Sequence, residues 1–281
     1  MTSRRSFSTS ILQAAGVASL AALPASAAST RFIRFRYQGQ TAHGLVEGTE
    51  VRPIQGDILG SYKLTSTKWK LSDVKLLYPI VPPKVLAVGL NYRSHIGNRT
   101  PPSQPEMFYK PITCLQNPDD AIRIPPSAKN VHYEGELVIV IGKTLHRASK
   151  DEARAGIFGI TCGNDVSERD WQNGEKKDLQ WWRAKGADTF GPLGPAIVAG
   201  LNYDNLLLQT RLNGKIVQKQ NTSDLLFDCT SIVNYVSEFV TLTPGDIIYT
   251  GTPGATQKMS PGDVVEVEIE GIGILRNSVT A

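Results

Sequence analysis

The sequence predicts an α+β fold that is mainly β, on three observations. Short apolar, β-branched runs recur along the chain, as in Val85-Leu86-Ala87-Val88 and Leu137-Val138-Ile139-Val140-Ile141. Clusters of Gly, Pro, Asn and Asp separate these runs as turns separate strands. Helix signals stand out at two places: Ser149 with Glu152 reads as a capping box, and residues 227–239 carry apolar side chains at helical spacing. With 281 residues, 41% of them hydrophobic and 20% charged, the chain has room for one large globular domain, or one large and one small. The net charge of +4 gathers toward the N-terminus, and no basic tract is interleaved with aromatics, which argues against nucleic-acid binding.

In chain order, residues 1–29 read as a targeting segment. Ser3-Arg4-Arg5-Ser6-Phe7 is a twin-arginine pattern, residues 11–23 are an Ala/Leu/Val-rich run too short to span a bilayer, and Ala25-Ser26-Ala27 is a small-x-small cleavage site. The expectation is twin-arginine export to the periplasm, with cleavage after Ala27. A mitochondrial presequence leading to the matrix is the alternative, because the segment is also Arg- and Ser-rich and lacks acids. No other stretch is long and apolar enough to cross a membrane, so no stable insertion is expected after cleavage. Residues 30–80 then read as a small N-terminal β domain of short strands and turns. The cluster Tyr78-Pro79-Ile80-Val81-Pro82-Pro83 reads as its linker to a main domain over residues 81–281.

The main domain opens with a buried strand from Val85 that ends in Asn91-Tyr92-Arg93-Ser94-His95, and a histidine just past a buried strand sits where catalytic loops form. The next informative run is His132-Tyr133-Glu134-Gly135-Glu136-Leu137. Side chains two apart on a strand share a face, so Glu134 and Glu136 point the same way and repel unless a proton or cation lies between them. A carboxylate pair leading into a buried strand is costly without compensation. A third carboxylate, Asp165, stands at the end of the strand that begins near Ile157. Three oxygen ligands without histidine or thiolate favour Mg²⁺ or Mn²⁺, with Ca²⁺ less favoured and zinc disfavoured.

These residues belong to a larger pattern. Gly89-Leu90-Asn91-Tyr92 with His95, Tyr133-Glu134-Gly135-Glu136-Leu137, and Gly163-Asn164-Asp165-Val166-Ser167 with Arg169, Asp170 and Gln172 come in that order. Lys185 before Asp188-Thr189-Phe190-Gly191-Pro192, Asn221-Thr222-Ser223-Asp224 and Thr250-Gly251-Thr252-Pro253 follow. In this order the motifs resemble the fumarylacetoacetate hydrolase family over residues 31–281. The resemblance implies a mixed β-roll catalytic domain, a homodimer, and Mg²⁺ or Mn²⁺ on Glu134, Glu136 and Asp165. It also implies Lys185 beside the metal, and Arg169, Gln172 and Thr252 holding the oxo-acid end of a small substrate.

The implied chemistry uses the metal as Lewis acid on a 2-oxo acid or 1,3-dicarbonyl acid and stabilises the enolate formed as a C–C or C–H bond breaks. C–C hydrolysis, decarboxylation and keto-enol isomerisation all stay open on that basis. A dicarboxylate-binding module that keeps the metal without turnover is the alternative. The chain departs from the family at one place. Family members that hydrolyse or decarboxylate pair the loop histidine with a glutamate about one helical turn later, whereas Ile96-Gly97-Asn98 follows His95 here. An amide cannot stabilise an imidazolium as a carboxylate does, so water activation is expected to be impaired or supplied by another acid, with Glu106 the candidate. The remaining chain reads as structure. Asn213-Gly214 is a type I′ hairpin turn, Pro244-Gly245-Asp246 and Pro261-Gly262-Asp263 launch strands, and Cys114, Cys162 and Cys229 are small buried hydrophobes.

Overall fold

A computed structural model describes residues 29–281. The targeting segment therefore lies, apart from its last residue, outside the described residues.

Three sheets account for the described strands. The largest has thirteen strands, and its main path runs Tyr62–Leu64, Glu50–Gly56, Gln40–Glu47, Thr30–Tyr37, Gly191–Ala199, Ile157–Asn164, Gly135–Ile141, Ile247–Tyr249, Val85–Gly89 and Glu106–Lys110. A five-stranded sheet orders Ile122–Arg123, Gly273–Thr280, Val264–Ile269, Leu207–Leu212 and Lys215–Asn221. Val131–His132 pairs with Ser167–Glu168 in a small ladder. The mainly β class expected from the apolar runs is what the chain adopts, with an N-terminal β region at one end of the large sheet.

The strand Gly135–Ile141 is central because both its faces are buried. Leu137, Ile139 and Ile141 enter one core, which includes Ile160 and the helix residues Ile232 and Val236. Val138 and Val140 enter a second core with Val85, Ala87, Phe108 and Tyr249. A period of two on a doubly covered strand sends alternate residues to opposite layers. The carboxylates share the parity of Val138, so Glu134 and Glu136 extend from the second core's face.

The capping box of the helix Lys150–Gly156 is formed, with Ser149 accepting from the Glu152 backbone and Glu152 accepting from the Ser149 backbone. The helix Cys229–Phe239, capped by Asp228, packs beside it under the first core. Asn213 and Gly214 both have positive φ, as a type I′ turn requires. The three cysteines are buried and free.

The N-terminal strand Thr30–Tyr37 pairs antiparallel with Gly191–Ala199, in the register Thr30↔Ala199, so the first strands extend the same sheet that holds the carboxylates. In the proline-rich connection Pro79, Ile80 and Pro82 are buried, whereas Val81 and Pro83 are exposed.

Gly135 lies between the two glutamates and faces the five-stranded sheet. A Cβ there would stand 2.1 Å from Thr210 Oγ1 and 3.3 Å from the Val267 methyls. Only a residue without a side chain lets the two sheets approach this closely. Gly135→Ala is expected to destabilise the chain by about 1–3 kcal/mol through overpacking, read by urea denaturation. An unchanged midpoint would show that the sheets can part there at no cost.

Candidate active site

The ladder between Gly135–Ile141 and Ile157–Asn164 pairs Gly135 with Asn164 and Glu136 with Gly163. Just past its end the Asp165 amide donates to the Glu134 carbonyl at 2.8 Å, and the Asn164 side-chain oxygen accepts from the Glu134 amide at 2.9 Å. Sheet register thus brings together three carboxylates from two strands. Glu134, Glu136 and Asp165 are all buried, and each offers an oxygen within 4.8 Å of the others.

Cations surround two of the three. Lys185, on the short helix Trp182–Gly186, donates to Glu134 Oε2 at 2.5 Å and to Asp165 Oδ2 at 2.7 Å. Arg169 Nη2 donates to Glu134 Oε1 at 2.5 Å. Lys110 donates to Asp165 Oδ1 at 2.6 Å. Glu136 has no such ion pair among the described residues; its Oε2 accepts from the Gly251 amide at 2.7 Å.

The acidities follow from this asymmetry. For Glu134, burial favours the neutral form, but Arg169, Lys185 and then His95 outweigh it and hold the carboxyl well below the usual range. For Glu136, burial comes first, and the charges of Asp165 and Glu134 add to it; together they outweigh Lys185 and the Gly251 amide and push the carboxyl well above its usual range. A buried acid repelled by two neighbours is a position for a proton or a metal ion. The donors, all carboxylate oxygens, fit a hard divalent cation.

The other sequence-predicted residues meet around the same cleft. His95 follows the strand Val85–Gly89, on the one-turn helix Arg93–Ile96. Its Nε2 lies 3.9 Å from Glu134 Oε1, and its Nδ1 lies 2.6 Å from the Gly254 carbonyl oxygen. A carbonyl can only accept, so Nδ1 carries a proton and Nε2 is the nitrogen that faces the glutamate. Arg169 also donates to Gln172 Oε1 at 2.6 Å and to Thr256 Oγ1 at 2.7 Å. Thr252 is buried, donates to the Gly135 carbonyl at 2.9 Å and accepts from Gln218 at 2.8 Å. Gln172, Thr252, Lys185, His95 and the two glutamates line one cleft. Asn98 and Glu106 are exposed and line none of it. Of the tryptophans, Trp181 lines the cleft, whereas Trp182 is 68% exposed and Trp171 lies under the Arg183 guanidinium.

Two residues that sequence reasoning passed over hold this arrangement. Lys110 is only 3% exposed, and besides Asp165 its ammonium meets the carbonyls of Lys185 and Phe190. Burial works against its charge, but Asp165, with Cys114 and Glu136 adding to it, more than compensates and raises its pKa. The signal was present in the alternation of Glu106–Lys110: Phe108 and Lys110 share a face, and a lysine beside a buried aromatic needs an anion. Gln218, on the neighbouring sheet, accepts from the Gly135 amide and donates to Thr252 and to the Pro253 carbonyl. No spacing in the sequence announces it.

With the geometry in place, comparison with known proteins is decisive. The family model described as fumarylacetoacetate (FAA) hydrolase C-terminal matches residues 84–280, and one described as Rv2993c-like, N-terminal matches residues 30–79. The chain belongs to the fumarylacetoacetate hydrolase family, and its β-roll is that family's fold. It is 45% identical over 234 residues to Protein Rv2993c of Mycobacterium tuberculosis, a match spanning 81% of this chain and 87% of that one. It is 40% identical over 221 residues to a cattle (Bos taurus) protein named oxaloacetate tautomerase FAHD2A, mitochondrial, spanning 74% of this chain and 70% of the relative. Among solved structures it resembles that of a Mycobacterium marinum protein named 2-hydroxyhepta-2,4-diene-1,7-dioate isomerase, with TM-score 0.82 and 40% identity, covering 89% of this chain and 98% of the other.

The raised acidity constant of Glu136 gives a pH signature. Between the unfolded value near 4.3 and the raised folded value, the folded chain holds a proton that the unfolded chain has lost, so this group's stabilisation is full below that window and disappears as pH rises through it. Glu134 acts with the opposite sign and only at lower pH. Urea unfolding of the chelator-treated protein should lose stability more steeply with rising pH than the Glu136→Gln variant does. Parallel profiles would contradict the assignment.

Proposed function

We propose that the chain is a divalent-metal-dependent isomerase that interconverts the keto and enol forms of a small 2-oxo acid or 1,3-dicarbonyl acid. The observation that carries this reading is the setting of His95. Its Nδ1 is oriented by a neutral peptide carbonyl at 2.6 Å, where no carboxylate stands among the described residues, and its Nε2 faces the cleft 3.9 Å from Glu134 Oε1. Such a base can take and return a proton, but no carboxylate behind the ring at Nδ1 holds an imidazolium in the orientation that water attack on carbon requires. Isomerisation needs only the proton transfer. The names of the cattle and M. marinum relatives, a tautomerase and an isomerase, support the same choice over hydrolysis or decarboxylation.

Glu134, Glu136 and Asp165 would hold Mg²⁺ or Mn²⁺, which when bound supplies Lewis-acid charge at the substrate's oxygens. Arg169 and Gln172 stand where a carboxylate can be received, and Thr252 fixes the floor through the Gly135 carbonyl. His95 Nε2 accepts the proton from the carbon beside the oxo group, the electron pair moves toward the carbonyl oxygen, and a proton taken up at that oxygen completes the enol. Lys185, buried and charged beside Glu134 and Asp165, adds positive potential where that oxygen becomes negative.

The proposal extends to the whole chain. Residues 30–80 and 81–281 form an N-terminal unit and a catalytic unit, a division supported by family models that meet between residues 79 and 84. The protein acts as a homodimer. Its N-terminal segment directs export to the periplasm, with the mitochondrial matrix as the alternative, a choice to which the word mitochondrial in the cattle relative's name lends support.

One assay tests the reading. Residues 28–281 with Mg²⁺ or Mn²⁺ are given oxaloacetate and acetylpyruvate, and enol absorbance and pyruvate release are followed separately. Accelerated enol loss without pyruvate is expected, abolished in Glu136→Ala and slowed about 10²- to 10⁴-fold in His95→Ala, the range typical of general-base catalysis. Pyruvate release at the rate of enol loss would overturn the isomerase reading, and metal-dependent binding with neither signal would indicate a binding module.

A further inference from the structure

His132 opens the run that carries the two glutamates, and the chemistry described above gives it no part. Its ring nonetheless sits between two polar side chains. Nδ1 lies 2.9 Å from Thr256 Oγ1, and Nε2 lies 2.8 Å from Asn130 Oδ1. Thr256 Oγ1 also accepts from Arg169 Nη2 at 2.7 Å, and Asn130 Nδ2 donates to Asp170 Oδ1 at 3.0 Å. A guanidinium is thus joined to a carboxylate through a hydroxyl, an imidazole and an amide.

The two ends fix the direction of every link. A guanidinium only donates, so Thr256 accepts from Arg169 and has its single hydroxyl proton left to give. An ionised carboxylate only accepts, so the Asn130 amide turns its nitrogen to Asp170 and its oxygen to His132. That oxygen needs a donor, and His132 Nε2 therefore carries the proton. Nδ1 is then the lone pair that receives the Thr256 hydroxyl. The donors all point one way, from Arg169 through Thr256, His132 and Asn130 to Asp170. Bonds aligned head to tail between opposite charges polarise and strengthen one another.

The backbone holds the relay in place. Val131–His132 pairs with Ser167–Glu168, and His132 also bridges to Lys258. The Asn130 carbonyl accepts from the Arg169 amide at 2.9 Å, so the chain of bonds closes on the one-turn helix Arg169–Asn173 from which it starts. Arg169 donates besides to Glu134 and Gln172, and Thr256 is a third point that fixes the plane of its guanidinium. We propose that His132 and Thr256 are positioning residues: the bare Nδ1 of His132 engages the Thr256 proton, keeps that oxygen an acceptor toward Arg169, and so sets the guanidinium for the substrate's carboxylate. The inference rests on the reading that Arg169 receives that carboxylate.

Spectroscopy and kinetics test it together. The ¹⁵N resonances of histidine-labelled protein under mildly alkaline conditions, with His132 assigned by its loss in His132→Phe, should show Nε2 protonated and Nδ1 bare. In Thr256→Val the Nδ1 resonance should move toward that of an unbonded nitrogen. With oxaloacetate as substrate, Thr256→Val and His132→Phe should each raise KM about three- to tenfold, the worth of one ordinary hydrogen bond, and leave kcat nearly unchanged. Thr256→Ser should keep the wild-type KM. The double variant should be no worse than either single one, because two changes in one chain of bonds remove the same interaction. A proton on Nδ1, an unchanged KM in both single variants, or KM effects that multiply in the double variant would overturn the relay. Thr256→Val supplies both the assignment and the kinetics if His132→Phe does not fold. If the wild type does not turn over oxaloacetate, the isomerase reading fails and the ¹⁵N spectrum still decides the relay.

Discussion

Mutual repulsion of three buried carboxylates is the constraint from which the rest of the site follows. Glu134, Glu136 and Asp165 are forced within 4.8 Å of one another by strand register, in surroundings where each charge is expensive. Lys185, Arg169 and Lys110 relieve Glu134 and Asp165. Among the described residues Glu136 is left with a single backbone donor, and the cluster retains a place for one more positive charge. Such an arrangement is costly for folding, and its use is in what it can bind.

The segment 251–256 converts this electrostatic problem into a shaped site. The Gly251 amide reaches Glu136, the Thr252 hydroxyl reaches the Gly135 carbonyl, the Gly254 carbonyl orients His95, and Thr256 receives Arg169. Gly251 has φ +105°, and a Cβ there would meet Asn91 at 2.7 Å. Asn91 in turn donates to the carbonyls of Thr250 and Phe227. One loop therefore sets the carboxylates, the histidine and the arginine relative to one another, so moving it would disturb all of them together.

Much of this was legible in the residues. The strand Gly135–Ile141 follows from an unbroken apolar β-branched run, the shared face of Glu134 and Glu136 from their spacing, and the capped helix from Ser149 and Glu152. What could not be read is what depends on partners distant in sequence. Lys110 matters because Glu106–Lys110 lies antiparallel to Val85–Gly89, which turns its ammonium toward Asp165. Gln218 matters because a second sheet lies against Gly135. The residue that orients His95 is a peptide carbonyl, and a backbone atom leaves no signature in a sequence. The continuity of the N-terminal strands with the catalytic sheet rests on the long-range pairing Thr30↔Ala199, which short apolar runs cannot specify.

The account stands on the triad holding a divalent cation, and calorimetric titration of the chelator-treated protein with Mn²⁺ tests that most directly. One saturable site per chain is predicted, tightening as pH rises and removed in Asp165→Asn. Absence of saturable binding in the wild type, or binding that survives Asp165→Asn unchanged, would contradict it.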